Sequence, residues 1–535
     1  MLKSIYILNK TLMCGILTIL TSDRESDATI EKIREGFEVL KKRGPDNDVF
    51  EITPTSIYGF TRLCIVDPRE TGNQPFISNN IIMFCNGEIY NHKKLEDQFE
   101  LECNSNSDCE CILELYKKIG FSRTVELLDG VFAIVIIDGN NMYFARDRIG
   151  VRPLFQGRTP SGNIALASVA GVISDYCTNV TNIKPGIYRY SKTSKRISTK
   201  YYKYPSYRVV GGGGIYETIK NILTRAVQKR LMTYRNMCCM LSGGLDSSLV
   251  TSILCKLIGP DKVRTYSIGM EGSIDLKYAQ IAANYLGTTH TEVVFTPEEG
   301  FAAIPHVIRD LESYDITTIR ASVGMWLLSK YIIENTDDIV VFSGEGSDEL
   351  LMGYLYFHYA PSIEEADKES KRLVEQLYKY DVLRADRSVS SHGLEVRVPF
   401  LDKEFVNLCK TMPSDIKMPV NGVEKYTLRK SFEEGYLPDE ILWRRKDGYS
   451  DGVSGSGKKW YEQIQEFVEH IITDEEFYNS TILFPSKEAY YYKKIYDEIF
   501  PTYQPFYEYW MPKWVECNGE PSGRNLDVYN IANKI

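Results

Sequence analysis

The stretch Ser242-Gly243-Gly244-Leu245-Asp246-Ser247-Ser248 joins two apolar segments, NMCCML at 236–241 and SSLVTSILCKLI at 247–258, which read as a strand and a helix. Two glycines in such a joint let the backbone approach a ligand closely. The serines add hydroxyl donors, and the helix presents its positive end. That combination is a phosphate cradle. It is not the common P-loop, because the GK[ST] ending is missing. A plain Ser-Gly turn capping a helix is the simpler alternative, but it leaves the acidic residue inside the loop without a purpose. A second loop, Ser343-Gly344-Glu345-Gly346-Ser347-Asp348-Glu349, follows the strand-like DIVVF. Loops at the ends of two parallel strands can face one crevice. Asp246 and Asp348 are then placed to hold Mg²⁺, a hard cation that takes oxygen ligands and bridges substrate phosphates. Solvated loop charge is the alternative for both.

Around these loops strands and helices alternate: VRTYSIG then DLKYAQIAANYLG, and DIVVFSG then DELLMGYLYF. The alternation predicts a doubly wound parallel sheet with ligands at the carboxyl ends of its strands. The first part of the chain is different. From Cys14 to about Tyr190, short apolar runs (CGILTIL, IIMFCNGEIY, VFAIVII, MYFARD) alternate with turn residues and predict a mostly antiparallel β domain. Ile30, Ile33, Phe37 and Leu40 recur at helical spacing, Gly44-Pro45 ends that helix, and a second helix is expected from Cys109 to Ile119. The expected organisation is an extension at 1–13, a first domain at 14–190, a polar, Tyr-rich linker at 191–214, a second domain at 215–515 and a tail at 516–535. The part from about Ser362 is helical and charged and should pack on the parallel sheet. The Tyr cluster at 489–509 reads as packing surface.

The formal charge of −9 excludes nucleic acid as the main partner, since phosphate backbones need clustered Lys and Arg. The longest apolar run, Val131 to Ile137, falls well short of the roughly 20 residues that span a bilayer. Twelve cysteines without CxxC pairs read as reduced thiols of a cytoplasmic protein.

The loop SGGLDSS resembles the PP-loop of ATP pyrophosphatases, and its surroundings resemble one branch, the glutamine-hydrolysing asparagine synthetases. The similar stretches are MCGI at 13–16, RGPD at 43–46, RLCIVD at 62–67, NGEIYN at 86–91, SDCE at 107–110, LDGVFA at 128–133 and RDRIGVRPLF at 146–155. In the second half they are YDITTIRAS at 314–322, SGEGSDELLMGYLYFH at 343–358, LEVRVPFLD at 394–402, EKYTLRKSF at 424–432 and WRRKDGYSDGV at 443–453. The resemblance implies an α+β amidotransferase domain of the Ntn-hydrolase type, a β sandwich with helices, followed by an α/β synthetase domain. The implied substrates are glutamine, aspartate and ATP, with Mg²⁺, and a homodimer is an assembly consistent with it.

Residue roles follow from the same resemblance. Cys14 would be the N-terminal nucleophile, with its own α-amine, of pKa about 8, as base. Taken alone, Cys14 reads as a buried strand residue; Arg62, NGE and SDCE together favour the nucleophile. Arg62 would clamp the glutamine carboxylate, Glu88 and Asp108 its ammonium, and Asn86 with Gly87 would form the oxyanion hole. Leu241, Ser242, Gly243, Gly244, Asp246, Ser247, Ile268, Ser343 and Gly344 would bind ATP and pyrophosphate, and Lys425 would offset charge on the leaving phosphate. Glu345 would orient or deprotonate ammonia, and Thr317, Thr318 and Arg320 would hold aspartate. There are four departures. A segment precedes Met13, Phe60 stands where the family usually has His, Val169 replaces an acidic residue, and Asp386 replaces Asn. β-Lactam-forming relatives generally lack the cysteine, and amino-sugar or purine amidotransferases share only the first domain. A degenerate binding protein would have eroded loops, whereas SGGLDSS and SGEGSD are intact.

Overall fold

The computed structural model describes residues 14–41, 43–191, 197–202, 214–446, 448–455, 457–505, 508–517, 520–522 and 526. The extension at 1–13 and most of the tail lie outside them.

Among the described residues, twelve strands build the first half. They are β1 (Gly15–Leu20), β2 (Asn47–Ile52), β3 (Ser56–Arg62), β4 (Phe76–Ser78), β5 (Ile81–Ile89) and β6 (Gly130–Asp138). These are followed by β7 (Asn141–Arg146), β8 (Phe155–Arg158), β9 (Ile164–Ala167), β10 (Thr178–Asn182), β11 (Ile187–Ser191) and β12 (Ile197–Thr199). They form two antiparallel sheets, ordered β10-β8-β9-β1-β3-β2 and β12-β11-β7-β6-β5-β4. Strand periodicity explains their stacking. Ile16 and Leu20 of β1 join Phe60, Phe84, Val135 and Phe144 in the core between the sheets, while Leu17 and Ile19 face the helix Asp27–Lys41 through Ile33 and Phe37. β1 is covered on both faces, so its sequence is apolar apart from Thr18. The helix Glu110–Ile119 covers the outer face of the second sheet through Cys111, Ile112 and Leu115.

The second half holds a parallel sheet of β13 (Asn236–Met240), β14 (Arg264–Gly269), β15 (Thr289–Val294), β16 (Asp338–Phe342) and β17 (Glu395–Arg397). Its order is β15-β14-β13-β16-β17, so the winding direction reverses between β13 and β16. The loops after those two strands are the ones singled out in the sequence, and a crevice opens where winding reverses. The helix Leu245–Ile258 is buried along most of its length, with Leu249, Val250, Ile253 and Leu254 in the core. Tyr492 and Tyr496 of the helix Lys487–Ile499 are fully buried, so the tyrosine cluster serves packing.

Two stretches differ from the reading above. DELLMGYLYF is no continuous helix: one helical turn, Ser347–Leu350, gives way at Met352 (φ 52°) to a 3-10 turn, Leu355–Tyr359. A left-handed residue in that position ends the helical path. Within the stretch read as linker, β12 pairs with β11, and the Tyr201 hydroxyl donates to the Arg146 carbonyl. Tyr201 and Tyr202 are buried against the second antiparallel sheet, and the helix Gly214–Lys229 begins where the glycine run ends.

The halves share a core in which Leu17, Phe37 and Phe155 are continuous with the apolar residues around the parallel sheet. Phe155 meets Tyr503 edge-on at 6.3 Å, and the Arg387 guanidinium lies over the Phe155 ring, 5.6 Å from its centre.

Candidate active sites

The sandwich carries a small cavity of about 30 Å³, lined by all six residues assigned to glutamine: Cys14, Arg62, Asn86, Gly87, Glu88 and Asp108. Cys14 sits just before β1, where its Sγ accepts the Leu63 N–H at 3.3 Å. Arg43 fixes the adjoining backbone by donating to the Cys14 carbonyl at 3.3 Å. Burial pushes the thiol up to about 12, against the opposing pull of the Leu63 N–H and the Arg62 charge. A thiol held there is no thiolate at neutral pH and needs a base beside it.

Arg62, at the end of β3, is aimed by the loop after it. It donates to the Arg69 carbonyl at 3.2 Å, to Asn73 Oδ1 at 2.6 Å and to the Asp67 carbonyl. Asn86 and Gly87 lie on β5. The Asn86 amide nitrogen is buried with no hydrogen-bond partner, as expected of a donor kept for a ligand. Gly87 is required by contact: a side chain there would fall 2.0 Å from the Val131 carbonyl oxygen, and its φ is 155°. Asp108 accepts the Ile89 N–H at 2.6 Å. Burial raises the carboxyls of Glu88 and Asp108, and in Glu88 the neighbouring Glu395 and Asp108 charges add to it. Two buried carboxyls so placed would be charged most readily beside a bound ammonium group.

Glu395, from β17 of the other half, lines the same cavity. It pairs with Arg397 at 2.9 Å and Arg152 at 3.4 Å. It lies inside the stretch LEVRVPFLD, but nothing local tells that this position reaches back to the first domain. Phe60 is packed in the sandwich core, 6.0 Å from Phe84, and does not border the cavity.

The second cavity, about 240 Å³, opens at the carboxyl ends of β13, β14 and β16. Every residue assigned to ATP, aspartate or the cation lines it except Gly243. Gly243 (φ 68°) makes the turn behind the cradle, where a side chain would fall 2.3 Å from the Tyr278 backbone. The Ser242 and Ser247 hydroxyls lie 3.1 Å apart, and the Gly244 N–H donates to Ser242 Oγ at 3.3 Å. Ser347 donates to Asp246 at 2.9 Å.

Lys425 is no surface lysine: its side chain is 1% exposed and its Nζ lies 2.6 Å from Asp246 and 2.7 Å from Asp348. Lys446 joins it, 2.7 Å from the other oxygen of Asp348. Burial alone would raise the Asp348 carboxyl, but the two ammonium groups hold it well below the usual carboxylate range. Lys446, and Arg444, which donates to the Ser242 carbonyl at 3.3 Å, were not singled out in the sequence although WRRKDGYSDGV contains both. Glu345 pairs with Arg384 at 2.8 Å, and burial raises its carboxyl against that arginine's pull. Thr318 is committed to the helix cap, donating to Asp315 at 2.7 Å, while the Thr317 hydroxyl reaches the Trp510 carbonyl at 3.4 Å. Arg320 is held by Glu488 and Glu520.

The departures at Val169 and Asp386 fall on the seam. Asp386 accepts from Arg152 at 2.9 Å, both side chains being fully buried, and lies 3.8 Å from Arg43. Beside Val169, Glu312 of the second half accepts the Ala170 and Gly171 N–H groups at 3.0 and 2.5 Å and pairs with Arg387.

Residues 13–209 match the glutamine amidotransferase domain family, and residues 218–369 and 361–516 match the asparagine synthase family. Among curated proteins, asparagine synthetase (glutamine-hydrolyzing) of Mus musculus is 43% identical over 98% of this chain and 100% of its own length. The Homo sapiens protein of that name shows the same identity and coverage. Among solved structures, the glutamine phosphoribosylpyrophosphate amidotransferase from B. subtilis is similar at 18% identity and a TM-score of 0.30, over 46% of this chain and 64% of that one. No helix among the described residues is long and apolar enough to cross a membrane. With both cavities, both domain matches and full-length relatives in agreement, the chain belongs to the glutamine-hydrolysing asparagine synthetase family.

Proposed function

We infer that the small cavity releases ammonia from glutamine and the large one uses ATP to activate aspartate as its adenylate, which ammonia converts to asparagine with release of AMP. The observation that carries this reading is the gathering of Cys14, Arg62, Asn86, Glu88 and Asp108 around one cavity and of both glycine-serine loops around the other.

In the first cavity the Cys14 sulfur attacks the side-chain amide carbon of glutamine. Its proton goes to the residue's own α-amine and then to the departing ammonia. Asn86 and the Gly87 N–H receive the negative charge that develops on the amide oxygen. Water then hydrolyses the thioester to glutamate. This requires a free amine on Cys14, since a peptide bond to Met13 would make that nitrogen a non-basic amide. The active protein is therefore expected to have an intact mass beginning at Cys14.

In the second cavity an aspartate carboxylate attacks the α-phosphate of ATP and pyrophosphate leaves into the cradle of Ser242, Gly244 and Ser247. Lys425 and Lys446 balance the charge that builds up on it. Asp246 and Asp348 both line this cavity, offer the hard oxygen ligands that Mg²⁺ takes, and would hold it. Bound there, the ion supplies charge neutralisation on the phosphates. Glu345, with its raised carboxyl, takes a proton from ammonia as it attacks the adenylate. Thr317, Thr318 and Arg320 position aspartate.

Nucleotide chromatography after turnover with aspartate, ATP and either nitrogen donor tests the reading. AMP and pyrophosphate are expected in equal amounts with asparagine; ADP and phosphate would refute the adenylate.

A further inference from the structure

Arg320 lines the synthetase cavity, yet four of its five N–H groups are already taken. Nε donates to Glu488 Oε1 at 2.7 Å and Nη2 to Glu488 Oε2. Nη1 donates to Glu520 Oε1 at 2.5 Å and Nη2 also to Glu520 Oε2 at 2.8 Å. Two carboxylates on one guanidinium leave the group with a net negative charge. A third carboxylate, from aspartate, would meet one remaining N–H and that repulsion.

The two partners are not equivalent. Glu488 belongs to the helix Lys487–Ile499 and its side chain is fully buried. Glu520 lies near the end of the described chain, outside any helix or strand, and its side chain is 16% exposed. Its next two residues, Pro521 and Ser522, line the synthetase cavity. Besides Arg320, Glu520 is held by the Gln465 amide at 2.6 Å and by the Ser522 N–H at 2.9 Å.

We propose that Glu520 is an internal placeholder for the substrate, occupying on Arg320 the position that a carboxylate of aspartate takes when it binds. The exchange replaces one charge-assisted bidentate pair by another, so the guanidinium stays paired throughout. While Glu520 is in place the arginine is not competent for aspartate, and the apparent affinity is lowered by the fraction of time it is engaged. The inference deepens the assignment of Arg320 to aspartate and rests on it.

Steady-state kinetics of ammonium-driven synthesis tests it with Glu520→Gln and, from the other side of the contact, Gln465→Ala, which removes a donor that holds Glu520. Glu520→Gln keeps the shape and removes the competing charge. Its KM for aspartate is expected to fall about fivefold or more, as expected when a competing state is removed, with a smaller fall for Gln465→Ala. The KM for ATP should stay unchanged in both. A merely structural Glu520 would leave the aspartate KM unchanged or raise it in both variants, and that result overturns the proposal. Arg320→Lys separates the two levels. A raised aspartate KM in that variant confines the failure to Glu520, and an unchanged one rejects the aspartate subsite as well.

Discussion

Lys425 and Lys446 place two ammonium groups on the carboxylate pair Asp246 and Asp348, in the wall of the larger of the two candidate cavities. Cations there are expected to act on the charge that leaves with pyrophosphate. Lys446→Ala should therefore lower kcat roughly a hundredfold, the loss typical of one preorganised stabilising donor. The loss should be equal with glutamine and with ammonium, and glutamine hydrolysis measured alone should be unaffected. A loss confined to glutamine-driven turnover would assign Lys446 to coupling instead of adenylation. The serines, glycines and acids of the two loops could be read from sequence because their chemistry is local: turn, hydroxyls and helix end lie within seven positions. Lys446 could not, because what brings it into the cavity is Asp348, 98 positions away. Glu395 was missed for the same reason.

The helix Ile316–Asn335 carries Thr317, Thr318 and Arg320, and its start is fixed by Asp315. That carboxyl accepts the Thr318 N–H at 2.8 Å, the Thr318 hydroxyl at 2.7 Å and the Trp510 N–H at 2.7 Å. Burial nevertheless raises it to about 6 from 3.8. A raised carboxyl binds its proton more tightly in the folded state, so its contribution to stability is present below about pH 4 and is lost as pH rises through about 6. Asp315→Asn should remove that slope from the pH dependence of the melting temperature. A difference between the two proteins that stays constant across the interval would show that Asp315 does not titrate there. The sequence carries the start signal, an acid before an apolar helical run, although the helix was not singled out there. Other elements are not legible in this way. β12 sits in a polar, tyrosine-rich stretch whose strand character comes from pairing with β11, and the helix expected over DELLMGYLYF is broken at Met352, a left-handed residue.

At the scale of the whole molecule, a three-residue strand ties the two chemistries together. β17 begins with Glu395 in the wall of the glutamine cavity, and the carbonyl of Arg397 at its other end accepts the N–H of Ser343, the first residue of the second ATP loop. Around it, Arg152, Asp386, Arg387 and Glu312 form a charged seam buried between the domains. Charged residues are ordinarily exposed to solvent. Arg152 and Asp386 become core residues because each finds opposite charge from distant parts of the chain, including the other across 234 positions. Two domains and their separate sites were therefore legible, and the seam that joins them was not. The central claim is that one chain performs two separable reactions, with Cys14 serving only the first. Cys14→Ala, in protein otherwise matched to the parent, tests it by asparagine formation from aspartate and ATP with each nitrogen donor. Synthesis at near-parental rate with ammonium, and none above background with glutamine, is the expected result. Asparagine formed from glutamine by the variant would contradict the account, as would loss of the ammonium-driven reaction in a variant that remains folded.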